Sequence, residues 1–421
     1  MKDTILVLNA GSSSVKFQLF EYSPELPRLL IGSVVGIGTK PILSIEREGT
    51  DKKIKLEIPV AETQKQGVQR IIDWIENLHE GWVIKVVAHR FVHGGPEFFE
   101  PALINSEVFR KLKAIIPLAL LHQPHHLAAV SVIEKKLKNV PQIACFDTAF
   151  HAHHAAKFTN FAIPQDITNK GVRRYGFHGL SYAWSAQYLK KHHPDLYKGK
   201  VVVAHLGNGS SLCAIKNGKS IDTTMGMTVL DGLPMGTRCG HIDPGALFYM
   251  MRELKLSYSK VEEMLYKESG LKGMSGLSND VKTLQETTDA RAEYALDYFA
   301  HHTAKFIASM AVSIEGIDAL VFTGGIGENS PKMREAILGY LEFMKIPKVM
   351  IINANEERYM AEQAMEYIAK MPASTKKIVT ISSNRSADAS QKQSNSVPQK
   401  KSVAASAVHQ KKIVMPRKKT A

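Results

Sequence analysis

Two apolar strands joined by a glycine- and serine-rich turn occur twice in this chain, about two hundred residues apart. No other feature restricts the possible folds as much. The first copy reads Ile5-Leu6-Val7-Leu8-Asn9, then Ala10-Gly11-Ser12-Ser13-Ser14, then Val15-Lys16-Phe17-Gln18-Leu19-Phe20. Val15, Phe17 and Leu19 alternate as a half-buried strand requires. The second copy runs from Val201 to Leu206, through Gly207-Asn208-Gly209-Ser210-Ser211, to Leu212-Cys213-Ala214-Ile215-Lys216 and the turn signal Asn217-Gly218. A third apolar run, Ala319 to Phe322, ends in Thr323-Gly324-Gly325-Ile326-Gly327-Glu328-Asn329, and Pro331 opens a helix. Between these units, Gly67 to Leu78 and Arg291 to Val312 carry apolar residues at helical spacing. Strands alternating with helices predict an α/β protein. The repeated unit predicts two similar domains facing each other across a cleft, and 421 residues are too many for one ordinary core.

Turns of this composition have a chemical use. Small residues let backbone N–H groups come close to phosphate oxygens, and successive turn amides form an anion-binding nest. In Asn9 to Lys16 the serines add donors and Lys16 adds charge, although a serine-rich hairpin reads the same way. The spacing is not that of a P-loop. Recurrence at Gly207 to Ser211 favours phosphate binding, with two loops gripping a polyphosphate from both sides.

Four further segments carry candidate chemistry. Arg90, in Ala88-His89-Arg90-Phe91-Val92-His93-Gly94-Gly95, follows the apolar run Ile84 to Val87. It can make two parallel bonds to a carboxylate or phosphoryl group, or an ordinary surface ion pair. Asp147 follows Ile143-Ala144-Cys145-Phe146, where it faces a cleft or caps the next helix. His178 lies in Arg173-Arg174-Tyr175-Gly176-Phe177-His178-Gly179, as a donor to a transferring group or a structural imidazole. Arg238 closes Gly232-Leu233-Pro234-Met235-Gly236-Thr237, a loop from which arginine can meet charge spread over phosphoryl oxygens.

Composition removes several function classes. The formal charge of +14 suggests a nucleic-acid binder until it is mapped. From Arg385 to Ala421 nine Lys or Arg face the single acid Asp388, so the first 384 residues carry only +6. That excess suits anionic substrates, with no specific nucleic-acid partner. Cys145, Cys213 and Cys239 are scattered and odd in number, against a disulfide framework or thiolate zinc site. The 17 histidines include His122, His125 and His126, and His151, His153 and His154, with no H-E-x-x-H pattern. No membrane span or signal peptide is evident, so a cytoplasmic location is expected.

Taken together and in order, these segments resemble the acetate kinase family of the sugar-kinase, heat-shock-chaperone and actin superfamily, from Thr4 to about Pro331. The resemblance implies two ribonuclease-H-like domains, residues 1–149 and 150–374, around a nucleotide cleft. The segment around 375–385 would complete the first domain, and the second would bind nucleotide and join a homodimer. Residues 386–421 would form a basic, disordered tail. The implied activity is reversible transfer of a phosphoryl group from ATP to acetate, with Mg²⁺, or Mn²⁺ in its place. Propionate kinase is the alternative within the family, and a catalytically weakened ATP-binding regulator is the alternative outside it.

By the same resemblance, Asn9 would meet the metal and Ser12, Ser14 and Lys16 the transferring phosphate. Arg90 and Arg238 would bind the carboxylate and stabilise the transition state, His178 would contact the phosphoryl group, and Asp147 would orient these groups or the metal. Val92, Leu121 and Pro234 would hold the alkyl group. His205, Leu206, Gly207, Asn208 and Gly209 would contact ADP phosphates. Asp280, Val281, Lys282, Gly325, Ile326, Gly327, Glu328 and Asn329 would surround the adenosine. The chain departs from the family at Gln123, at Cys239-Gly240-His241, at Leu180 and Tyr182, and at Lys282, where a stacking arginine is usual. The family's terminal Asn-Glu-Glu, whose first acid helps hold magnesium, is expected after a strand. Asn355-Glu356-Glu357 has the letters but comes early. Ile378 to Ile381 followed by Ser382-Ser383-Asn384-Arg385 is better placed but lacks the acid, and is the alignment preferred from sequence.

Overall fold

The antiparallel pairing of β1 (Lys2–Ala10) with β2 (Ser14–Glu21) sets Asn9 opposite Lys16 and Ala10 opposite Val15. This is a computed structural model, and it describes residues 1–11, 13–50, 53–58, 63–78 and 80–372. Ser12, the 375–385 segment and the tail expected at 386–421 lie outside the described residues. Beyond β2 come β3 (Arg28–Val35), β4 (Ile42–Arg47) and β5 (Lys53–Glu57), each antiparallel to the one before. On the other side of β1, β6 (Trp82–Phe91) is parallel to it. The short β7 (Ala102–Leu103) edges β8 (Gln142–Phe146), which runs parallel to β6.

The second sheet repeats that plan. β9 (Lys200–His205) and β10 (Ser211–Lys216) form the hairpin, and β11 (Lys219–Thr223) follows antiparallel. The connecting Asn217 and Gly218 both take positive φ, 54° and 68°, as the Asn-Gly signal predicts. β12 (Ala319–Thr323) and β13 (Lys348–Ile351) add parallel strands beyond β9. The orders β3-β2-β1-β6-β8 and β11-β10-β9-β12-β13 are therefore the same walk taken twice. All five residues of β12 are buried, as a central parallel strand covered on both faces demands.

Helices close both faces of each sheet. Helices Gln64–Asn77 and Gln123–Lys136 pack Ile71, Ile72 and Ile133 onto Leu6, Leu8 and Phe17. The first of these starts at a capping box between Thr63 and Gln66, which satisfies two otherwise unpaired donors. Helix Ala290–Ser313 lays Phe299, Ala300 and Ile307 on Val202, Ala204 and Phe322, and helix Gly179–His192 covers the opposite face. Full burial of one side chain the size of Phe299 contributes about 1.5–3 kcal/mol. The last described helix, Glu356–Lys370, follows the second sheet in sequence but packs on the first. Its Met360, Ala361 and Ala364 meet Ile5, Val7, Val86 and Cys145. Residues 356–370 thus return to the sheet where the chain began. Among the described residues no helix is long and apolar enough to cross a membrane.

Candidate active site

Three parallel strands finish side by side. The register pairs Leu8 with His89 and Arg90 with Cys145, so the ends of β1, β6 and β8 bring Asn9, Arg90 and Asp147 to one edge. The carboxyl ends of parallel strands are where open α/β sheets bind ligands. Arg90 Nε and Nη2 donate to the two carboxylate oxygens of Asp147 at 3.0 and 2.8 Å, a bidentate pair with the Asp147 side chain 2% exposed. Asp147 therefore serves the arginine and does not cap a helix. The third nitrogen, Nη1, lies 3.2 Å from Glu356 Oε2. Burial alone would lower the Arg90 pKa; Asp147 and Glu356 outweigh it and hold the guanidinium above its ordinary value. Burial in turn raises the Asp147 carboxyl, against the pull of Arg90.

Glu356 corrects the alignment preferred from sequence. After β13 the chain turns at Asn353 and Ala354, and Asn355 caps the helix through its side chain, which accepts from Arg358 N–H. The first helical turn then presents both acids, where the helix dipole favours negative charge. Glu356 joins Arg90, while Glu357 accepts from Gln18 at 3.4 Å and feels Lys16. Asn355-Glu356-Glu357 is thus the acidic end of the site, although it comes early in the chain. The strand expected at 378–381 falls outside the described residues. The apolar run Val349 to Ile352, most of which lies in β13, is the strand signal that accompanies the letters of Asn355-Glu356-Glu357.

The second wall is built at the ends of β9 and β12, which are parallel with Thr323 beside His205. Leu206 N–H donates to Thr323 O, and Leu206 O accepts from Ile326 and Gly327 N–H at 2.8 and 3.2 Å, clipping two loops together. Gly324 makes the approach feasible: its φ is 77° and a Cβ there would lie 2.8 Å from Leu206 O. Several residues expected at the nucleotide have partners within the protein. The side chains of Leu206 and Val281 are buried in the core, because the strand end and the short helix Val281–Gln285 each need an apolar anchor. Glu328 accepts from Gly324 and Ala354 N–H, Asn329 donates to Gly325 O, and Asp280 caps its helix through Thr283. Those three side chains hold the loops themselves. Gly207 and Gly209 are half-buried and Asn208, Gly325 and Lys282 exposed, with Asn208 steadied by Asn279 at 2.8 Å.

His178 and Arg238 stand between the walls. His178 adopts a left-handed φ of 55° as helix Gly179–His192 begins. The following Gly179 donates to Asp147 O at 2.9 Å, and a Cβ there would come within 2.1 Å of that oxygen. The backbone of the acid and the loop of the histidine are thereby fixed to each other. His178 Nδ1 lies 2.8 Å from Ser211 Oγ, and its ring stacks on His205 at 4.4 Å. Burial, followed by His205 and the two arginines, pushes the His178 pKa well down. His205 and His122 are likewise lowered by burial, to about 4.

Arg238 is the counterpart of Arg90 with one difference. Nη1 donates to Val229 O at 3.1 Å and contacts Met235 Sδ, and no carboxylate faces it among the described residues. Burial lowers its pKa. A Cβ at Gly209 would stand 3.5 Å from both Arg238 Nη1 and His178 Nε2, so the missing side chain leaves room for an oxygen there. Beside this point a cavity of about 460 Å³ is lined by Val92, Leu121, His122, Phe177, Val229 and Tyr266, among others. Pro234 is buried in its loop and is not part of that lining. His122 lies in the field of both arginines, a position nothing in its sequence neighbourhood announces.

Residues 4–389 match the sequence profile of the Acetokinase family. The chain belongs to that family. Among its relatives, the acetate kinase of Nitrobacter hamburgensis is 43% identical over 355 residues, which are 82% of this chain and 86% of that one. The acetate kinase of Rickettsia prowazekii is 37% identical over 399 residues, 87% of this chain and all of its own length. Among solved structures, a propionate kinase from Francisella tularensis superposes with a TM-score of 0.81 at 37% identity, covering 86% of this chain and 99% of its own. Porphyromonas gingivalis acetate kinase gives 0.78 at 35% identity, with the same coverage. The fold is the two-domain fold of these kinases. An acetokinase is a phosphotransferase with a carboxyl group as acceptor, using ATP and a divalent metal.

Proposed function

We propose that this acetokinase transfers the γ-phosphoryl group of ATP to acetate, reversibly and by direct in-line attack, with Mg²⁺ as its metal. The observation that carries the reading is the contrast between the two arginines. Arg90 is fully engaged by Asp147 and Glu356, while Arg238 is half-buried, has no carboxylate partner among the described residues, and lies with His178 Nε2 beside the space at Gly209. A substrate carboxylate or a transferring phosphoryl group is the charge that Arg238 lacks.

Acetate is ionised near pH 7 and needs no general base. Its approach to ATP needs relief from like-charge repulsion, which Arg238, Arg90 and the neutral donor His178 supply by position. The apolar wall of Val92, Leu121 and Phe177 takes the methyl group. Asp147 and Glu356 fit a magnesium site in their chemistry, since Mg²⁺ is usually held by one or two carboxylates together with substrate phosphates. With Asn9 they would hold it, and it would neutralise phosphate charge. Asn9, Ser14 and Lys16 would face the phosphates from the first domain and Gly207 to Gly209 from the second. We take the domains to be the lobes built on the two sheets, with Glu356–Lys370 joined to the first, and infer that they close to exclude water. A homodimer would cover the exposed Phe248, Tyr249 and Phe343 of the second lobe.

A second reading, with propionate as the better acid, draws support from the size of the cavity, since about 460 Å³ exceeds the needs of a methyl group. The weakened-regulator alternative loses the first of its two motives if Glu356, paired with Arg90, is the acid in question; Lys282 in place of a stacking arginine is the other. Hydroxylamine trapping of the acyl phosphate made from acetate, propionate and butyrate tests both readings. Acetate is expected to give the highest kcat/KM. Equal or greater efficiency with propionate rules out the acetate assignment, and no trapped product with any acid rules out the reaction.

A further inference from the structure

A neutral imidazole carries one proton, and only the tautomer protonated at Nε2 lets His178 donate toward the space beside Gly209. Its other nitrogen faces Ser211 Oγ at 2.8 Å. That hydroxyl has a single hydrogen and two neighbours, His178 Nδ1 and Tyr182 Oη. Tyr182 is completely buried, and Ser211 is the hydrogen-bond partner of its hydroxyl; no other is present among the described residues.

Proton accounting selects one arrangement. If Ser211 donated to the phenol, the phenolic hydrogen would be buried without an acceptor, which is unfavourable. If the phenol donates to Ser211, Ser211 gives its own hydrogen to Nδ1, and every donor in the chain is satisfied. His178 then keeps its proton on Nε2. We propose that Tyr182, acting through Ser211, is a positioning residue that fixes His178 as the Nε2–H tautomer, so that a neutral donor faces the transferring phosphoryl group. The role assigned to the donor rests on the phosphoryl-transfer reading above; the tautomer does not.

The surroundings hold this relay in place. The Tyr182 ring meets the His151 ring edge-on at 5.6 Å and packs with Val203, Cys213 and Ile215. His151 Nε2 donates to Phe177 O at 2.9 Å, so the same imidazole that braces Tyr182 also ties down the residue before His178. Burial keeps the phenol pKa well above its ordinary value and that of His178 well below, consistent with a protonated phenol and a neutral ring. Hydrogen bonds in such a chain polarise one another, so the phenol strengthens the bond that Ser211 makes to Nδ1.

The experiment is ¹⁵N NMR of the His178 imidazole in the full-length wild type, Tyr182→Phe and Ser211→Ala, with His178→Asn used to assign the resonances. The wild type is expected to show a protonated Nε2 and an unprotonated Nδ1. Tyr182→Phe, which keeps the ring, should shift the Nδ1 resonance and lower kcat about threefold; Ser211→Ala should mix the tautomers and lower kcat about tenfold. KM for ATP should stay within about twofold in both, since the donor acts on the transferring group. A wild-type ring protonated at Nδ1 overturns the proposal. So does a Tyr182→Phe protein whose imidazole shifts and kcat match the wild type. If the tautomer is as expected and no acyl phosphate forms with any acid, the reaction assignment fails while the relay stands.

Discussion

Arg90 and Arg238 are the same residue type with the same net charge, yet removing them should have different consequences. Arg90 neutralises two buried carboxylates, Asp147 and Glu356. Arg90→Ala leaves both unpaired, which costs about 3–5 kcal/mol of stability in addition to the loss of turnover. Arg238 faces no acid among the described residues, so Arg238→Lys should leave the melting temperature within a few degrees. It should still lower kcat by about a hundredfold or more, because lysine cannot reproduce the planar fork. Calorimetry beside a coupled ATP assay separates the two. Equal losses of stability in both variants would show that Arg238 is paired in solution. Glu356→Gln isolates the third member of the group. It removes a charge but little volume, so the magnesium concentration giving half-maximal rate should rise about tenfold, while KM for the acid changes little. Magnesium titration of the two proteins checks this, and superimposable curves would exclude Glu356 from the metal site.

At the scale of elements, the loops matter through what they leave out. At Gly209 a Cβ would meet His178 Nε2 and Arg238 Nη1 at 3.5 Å, an ordinary contact distance, so Gly209→Ala should fold normally. The methyl group would nevertheless occupy the space that the two donors face, and kcat/KM for ATP should fall about tenfold or more. At Gly179 a Cβ would lie 2.1 Å from Asp147 O, a backbone atom that cannot swing aside, so Gly179→Ala should reduce stability as well. Proteolysis rates and steady-state kinetics on this pair distinguish an open loop from a packed joint. The elements themselves were readable in the sequence. Alternation in Val15 to Leu19, the Asn217-Gly218 signal and the apolar spacing of Arg291 to Val312 all mark elements that form, because each is set by local periodicity or turn chemistry. Which side chains around the two glycine-rich loops turn inward was less readable. Leu206 and Val281 sit beside exposed or half-buried residues in sequence, but packing turns them inward, and backbone amides engage Glu328. Position along the chain was a poor guide to Glu356, since a helix that follows the second sheet docks on the first.

Viewed as a whole, the molecule encloses an unusual number of imidazoles, and their burial has a consequence for acid stability. His89, His93 and His151 are almost inaccessible, and burial lowers each to about 4. In an unfolded chain the same groups titrate near 6.5. Above that pH both states are neutral and the histidines contribute no pH dependence. Between about 6.5 and 4 the unfolded chain takes up protons that the folded chain refuses, so the free energy of unfolding falls as the pH falls. Each group is worth up to about 3.4 kcal/mol over that window, so three together fall within the ~5–15 kcal/mol that stabilises a typical protein. Asp147, Asp222 and Glu357, whose carboxyls burial raises, act in the opposite sense, because the folded chain binds their protons more readily. Their window opens at the raised folded pKa and overlaps that of the histidines, offsetting part of it, but the lowered histidines, which also include His122, His126, His154, His178 and His205, outnumber these three carboxyls. The melting temperature should therefore be nearly level from pH 8 to 7 and then drop by about ten degrees or more by pH 5. His89 provides the internal control, since its Nε2 pairs with Gln142 Oε1 at 2.9 Å away from the substrate. His89→Gln removes one titrating group, so unfolding at pH 5 should take up about one proton fewer than in the wild type, whatever the variant's absolute stability. A wild-type melting temperature that stays level down to pH 5 would mean that these histidines are protonated in the folded chain, and that their burial is relieved by water or by motion.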